Sequence, residues 1–108
     1  MVKKLSAEFL GSLLLGASVV GSGTMATILT EDIAIQLFVN TITTVFMLFI
    51  IITLFASISG AHFNPLVTIV ELFYKRISIK EAGFYILSQI IGMSAGVVLA
   101  NLMFNKPG

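Results

Sequence analysis

Glu8, His62 and the pair Asn64-Pro65 are the groups in this chain with chemistry to offer. Asn is a favoured helix N-cap, and Pro suits the first helical position, where its missing N–H costs nothing. Asn64-Pro65 therefore marks a helix start inside the run Ser59-Gly60-Ala61-His62-Phe63-Asn64-Pro65-Leu66-Val67-Thr68. From Pro65 a largely apolar run reaches only Tyr74 before Lys75-Arg76. About ten residues at ~1.5 Å rise give ~15 Å, half of a ~30 Å hydrocarbon core. A half-length helix that opens with a polar cap at membrane depth is a re-entrant element. Irregular backbone at that depth is tolerated only where it lines a cavity or is buried in protein. The N-terminus of such a helix exposes unpaired N–H groups and a partial positive charge of roughly +0.5, which repels cations and orients the oxygen of a neutral solute. Glu8 is an ionisable group inside an apolar segment, expensive there and functional by default. His62 reads as a structural hydrogen-bonding group or as a pH sensor.

Composition sets the depth at which these groups must work. Of 108 residues, 57% are hydrophobic and 10% charged, and the mean hydropathy is +1.08. A soluble domain carries about a quarter charged residues. The chain is thus expected to be an all-α integral membrane protein whose first partner is the lipid bilayer. A net charge of +1 argues against nucleic acid as a partner. There is no Cys for a disulfide, a zinc site or a thiol nucleophile. Without a nucleophile–base pair or a ligand cluster, no enzyme activity, metal or cofactor is expected.

Three apolar segments, about residues 5–29, 33–58 and 82–104, meet the ~20-residue requirement for spanning. The first holds the single ionisable group Glu8 and is too long for the apolar core of a signal peptide. Glu31-Asp32 separates the first two spans in a turn so short that they must be antiparallel neighbours. The re-entrant loop and half-helix occupy about residues 60–74, and residues 1–108 read as one unit. Lys3, Lys4, Lys75, Arg76 and Lys80 fall on one face, with Glu31, Asp32 and Lys106 on the other. The positive-inside rule then places the N-terminus in the cytoplasm and the C-terminus outside. In the third span Ser88, Gly92, Gly96 and Ala100 recur four apart, a spacing that permits close helix approach within the chain or to a partner.

These motifs, in this order, resemble the first half of the aquaporin and glycerol-facilitator (major intrinsic protein) family. Ala7-Glu8-Phe9-Leu10-Gly11 opens the first span, Ser59 to Pro65 forms the re-entrant loop, and Gln89 with Gly92 lies in the third span. Gly21-Ser22-Gly23 is similar to bacterial members, so a bacterial inner (plasma) membrane is the implied location. The resemblance covers essentially the whole chain and implies a passive channel for water and small uncharged solutes such as glycerol. It implies that the Asn64 amide faces the pore as a donor and that the Gly60, Ala61 and His62 carbonyls line it. It also implies that Glu8 sits behind the loop and accepts its hydrogen bonds, with Gln89 helping. Thr44 matches a selectivity-filter position where water-only members carry a bulky aromatic, so a wider filter is implied. Val67 takes the place that, in the family's second half-helix, holds the filter arginine.

The sequence departs from the family pattern twice. Leu66 stands where the Asn-Pro-Ala motif has Ala, putting a bulkier side chain beside the expected constriction. Family members also have six spans and two half-helices as an inverted repeat, whereas this sequence holds one repeat. One repeat cannot enclose a pore, so an oppositely oriented complementary half is the expected partner, in tetramers of complete pores. An antiparallel copy of the chain is the rival partner, disfavoured by the five-to-one basic bias. Asn105-Lys106-Pro107-Gly108 reads as the start of an external loop. Two other functions remain open: a small proton-coupled multidrug-type transporter using Glu8, which needs four full spans, and a non-conducting channel subunit.

Overall fold

The computed structural model describes residues 1–104; Asn105 to Gly108, where the external loop and Lys106 were placed, lie outside the described residues. The chain forms α1 (Val2–Leu29), α2 (Ile33–Ser59), α3 (Pro65–Phe73) and α4 (Ile79–Phe104), with no strand among the described residues. Helices α1, α2 and α4, of 28, 27 and 26 residues, are long and apolar enough to cross a bilayer. Helix α3 has nine residues, too few to do so.

Local chemistry sets each boundary. Asp32 caps α2, its Oδ1 accepting from the Ala34 and Ile35 N–H groups at 2.9 and 3.3 Å. The Asp32 N–H in turn donates to Thr30 Oγ1 at 3.1 Å, and Gln36 Nε2 donates to the Thr30 carbonyl at 2.8 Å. These bonds close a turn that sends α2 back along α1. Helix α2 ends at Gly60, whose φ of 87° lies in the left-handed region that glycine enters at least cost. Asn64 caps α3 through its Oδ1, which accepts the Leu66 N–H at 2.8 Å, with Pro65 in the first turn. Glu71 interrupts the apolar run of α3 and accepts from Arg76 Nη1 at 3.1 Å. Ser78 Oγ caps α4, receiving the Glu81 N–H at 3.1 Å.

Helices α1 and α4 run parallel in close register. A Cβ placed on Gly92 would overlap the Phe9 carbonyl, and one on Gly96 the Leu13 carbonyl, four residues on in each helix. Gly16 of α1 approaches the Met93 carbonyl in the same way, with 2.7 Å left to an added Cβ. Lipid is as apolar as a leucine side chain, so such backbone approach and buried hydrogen bonds, not expulsion of water, must hold the helices together. Gly92, Gly96 and Ala100 are buried and Ser88 half-buried, so the small-residue stripe of α4 is used within the chain, against α1. Lys4 and Glu81, 3.5 Å apart, tie the starts of α1 and α4 at the same end. Helix α2 buries only Ile51 and Ser59 fully and leaves Phe46 and Phe49 exposed, while Phe55 packs edge-on against Phe63 at 6.1 Å.

Candidate functional site

The segment between α2 and α3 carries three signs of constraint within four residues. Gly60, Ala61 and Phe63 have φ of 87°, 55° and 53°, and the last two side chains make that region costly. Such a conformation persists only where its surroundings over-determine it. Glu8 supplies that determination. Its side chain is fully buried, and four donors converge on its two oxygens. Oε2 accepts Ser59 Oγ–H at 2.6 Å and the His62 N–H at 3.2 Å. Oε1 accepts the Phe63 N–H at 2.9 Å and Gln89 Nε2–H at 2.7 Å. One carboxylate thus joins α1, the end of α2, the loop and α4. Both of its oxygens are engaged and Glu8 is not part of the cavity lining, an arrangement that suits a brace.

A second tier of polar groups stands behind the first. Gln89 Nε2 also donates to Thr68 Oγ1 at 2.8 Å, and His62 Nδ1 lies 2.9 Å from the same oxygen. Tyr85 donates its hydroxyl hydrogen to the Ser59 carbonyl at 2.7 Å, and its ring lies 4.9 Å from that of His62. Ser59 Oγ accepts the Ala61 N–H at 3.2 Å. Phe63, almost fully buried, drives its ring against Gly11 of α1. The loop is therefore held by polar groups on one side and by an aromatic wedge on the other.

On its free side the loop opens on a cavity of about 540 Å³ whose lining includes Thr44, Ala61, His62, Asn64 and Val67, with apolar groups from α1 and α4. Because Asn64 Oδ1 serves as the helix cap, its NH₂ has no bond among the described residues and remains available as a donor. The N-terminus of α3 faces the same cavity, so its partial positive charge acts there. Pro65 lines a smaller pocket against Gln89, Ile90 and Met93. Gly60 is exposed and lies outside the cavity lining. Leu66 is also outside that lining and 67% exposed, because two residues along a helix turn it to the side of α3 away from Asn64. Asn40 adds a group outside the motifs: its Oδ1 receives Ser22 Oγ–H at 2.9 Å, beside Thr44 one turn further along α2.

Looking for charged groups passes over Ser59, Thr68 and Tyr85, which contribute hydroxyl groups. The sequence does carry their signal. Tyr85 and Gln89 are four apart and so share one helix face, and Ser59 and Thr68 bracket the loop.

A family model described as Major intrinsic protein matches residues 1–107 of the chain. Aquaglyceroporin AqpS of Rhizobium meliloti is 43% identical over 107 residues, covering 99% of this chain and 46% of the relative. Aquaporin-5 of Rattus norvegicus is 31% identical over 99 residues, covering 87% of this chain and 34% of the relative. The glycerol uptake/efflux facilitator protein of Saccharomyces cerevisiae is 31% identical over 51 residues, covering 47% and 8%. The chain spans about half the length, or less, of these relatives. No solved structure matches the chain at a significant level.

Proposed function

Because the chain belongs to the major intrinsic protein family, we propose that it forms one half of a passive membrane channel for water and small uncharged solutes such as glycerol. The observation that carries this reading is the Asn64 amide at the N-terminus of α3, whose NH₂ is unengaged among the described residues and which lines the cavity of about 540 Å³. A neutral solute exchanges hydrogen bonds with such donors. A cation meets the positive end of the half-helix and loses hydration that the apolar walls do not replace. Thr44, small and polar, leaves room at the filter position for a polyol. Val67, Ala61 and His62 complete the lining on this side.

The chain is a multi-pass membrane protein. In this reading its N-terminus is cytoplasmic, as the shared end of Lys3, Lys4, Lys75, Arg76 and Lys80 suggests. The membrane is the bacterial inner membrane. The pore is completed by a second half of opposite orientation, and complete pores assemble as tetramers. An antiparallel copy of the chain is the weaker candidate for that half, because the basic bias opposes insertion in both orientations.

Stopped-flow water and glycerol permeability of proteoliposomes tests the reading, with the chain alone and together with the unmatched half of AqpS. Flux above that of empty vesicles, reduced in Asn64→Asp and accompanied there by a cation leak, is the expected result. Flux equal to empty vesicles in both arms, with the chain folded, rejects the channel.

A further inference from the structure

His62 is the single histidine of the chain, and no described residue bonds its Nε2. The position of a ring proton is assigned from neighbours and not seen directly. Here the neighbours favour one assignment, in which Gln89 Oε1 is left buried with no hydrogen-bond partner among the described residues. Glu8 Oε1, which already receives the Phe63 N–H, is an acceptor, so the Gln89 atom 2.7 Å from it is the amide nitrogen. The same nitrogen lies 2.8 Å from Thr68 Oγ1 and directs its second hydrogen there. Thr68 Oγ1 is thereby a receiver, and its own hydroxyl hydrogen needs an acceptor. Thr68 is fully buried, so solvent does not provide one. Within reach is His62 Nδ1, 2.9 Å away.

We propose that Glu8, Gln89 and Thr68 act in series as positioning residues that hold His62 as the Nε2–H tautomer, so that a residue lining the cavity keeps a free N–H donor beside Gly60. The reverse tautomer would aim two donors at Thr68 Oγ1 and leave the hydroxyl hydrogen without an acceptor in a dry site. The Nε2 atom sits beside exposed Gly60, where a side-chain carbon would come within 3.3 Å of it, and His62 is part of the cavity lining. With the Asn64 amide, the loop then offers two N–H donors on residues that line the cavity. Those groups suit the oxygen of an uncharged hydroxylated molecule. Only this last step, the solute that the donor meets, rests on the channel reading.

The single histidine makes the test direct. Nitrogen-15 NMR of the full chain in lipid bilayers, labelled at histidine and held at neutral pH, reports both ring nitrogens of one residue. The expected spectrum shows an unprotonated Nδ1 and a protonated Nε2, in at least about tenfold excess over the reverse form, given the stranded hydroxyl of the alternative. Thr68→Ser keeps the hydroxyl and should keep this ratio. Thr68→Val keeps the shape, removes the relay and should lower the ratio toward the modest Nε2–H preference of a free imidazole. An Nδ1–H majority, two equivalent imidazolium nitrogens, or an unchanged ratio in Thr68→Val overturns the proposal. If Thr68→Val does not fold, the wild-type spectrum and Thr68→Ser still decide it. The spectrum needs no transport, so a silent channel with the expected tautomer would reject the conduction reading and leave the relay standing.

Discussion

The ring of Phe63 rests on Gly11, so closely that a methyl group added at position 11 would occupy the ring's own space. This couples the backbone of α1 to the loop that carries Asn64. Phe63 is also the residue whose N–H donates to Glu8 and whose φ is 53°. Loop geometry is thus set from α1 twice, three residues apart, by volume and by charge.

Gly11→Ala should displace the Phe63 ring and destabilise the chain by about 1–3 kcal/mol, the usual cost of overpacking. Gly83→Ala is the matched control, since nothing lies within 4 Å of a Cβ there. It should be neutral or stabilise by up to about 1 kcal/mol, as for a helical glycine replaced by alanine. Thermal unfolding in detergent micelles measures both. Equal melting temperatures would show that the loop does not lean on Gly11.

Glu8→Gln keeps the shape and turns one acceptor into a donor. Wherever the new NH₂ points, it faces a pair of donors: Ser59 Oγ and the His62 N–H, or the Phe63 N–H and Gln89 Nε2. A loss of about 1–3 kcal/mol is expected, with faster hydrogen exchange at the His62 and Phe63 amides. Wild-type protection at those amides would mean that the carboxylate is not what holds them.

Thr44→Phe should narrow the cavity that Thr44 lines. In a completed channel, glycerol permeability is expected to fall several-fold more than water permeability. Parallel loss of both would place Thr44 in packing and not in selection.

Lys4→Ala should matter little. The Lys4–Glu81 pair is long, at 3.5 Å, and the Lys4 side chain is nearly half exposed. Exposed pairs contribute at most about 1 kcal/mol. A larger drop in melting temperature would reveal a role for this end of α1 beyond the ion pair.

The three long helices and the half-helix were legible because their signals are local: long, largely apolar runs, the acidic turn at Glu31-Asp32, and Asn64-Pro65 as a cap. The pairing of Glu8 with the loop was legible only through likeness to a family, since nothing in the spacing of residues 8, 62 and 89 shows that they meet. The parts that escaped reading depend on direction. Leu66 adjoins the motif in sequence, yet two steps around α3 from Asn64 leave it outside the cavity lining. Thr68 carries no charge, and its importance arises only when Gln89 and His62 arrive from two sides. The stripe Gly92, Gly96 and Ala100 announced close packing without naming its mate, and the register of Phe9 and Leu13 supplied it.

The reach of Glu8 along the chain bears on how the molecule is made. Its partners lie 51 to 81 residues downstream, the last of them in α4. During synthesis α1 therefore enters the bilayer with a carboxyl group that has none of its final neighbours, and it waits for most of the chain to be translated before they arrive. Insertion of the first segment and maturation of the loop are separate events in time. The residue that later secures the architecture is, for that interval, the most exposed weakness of the nascent chain.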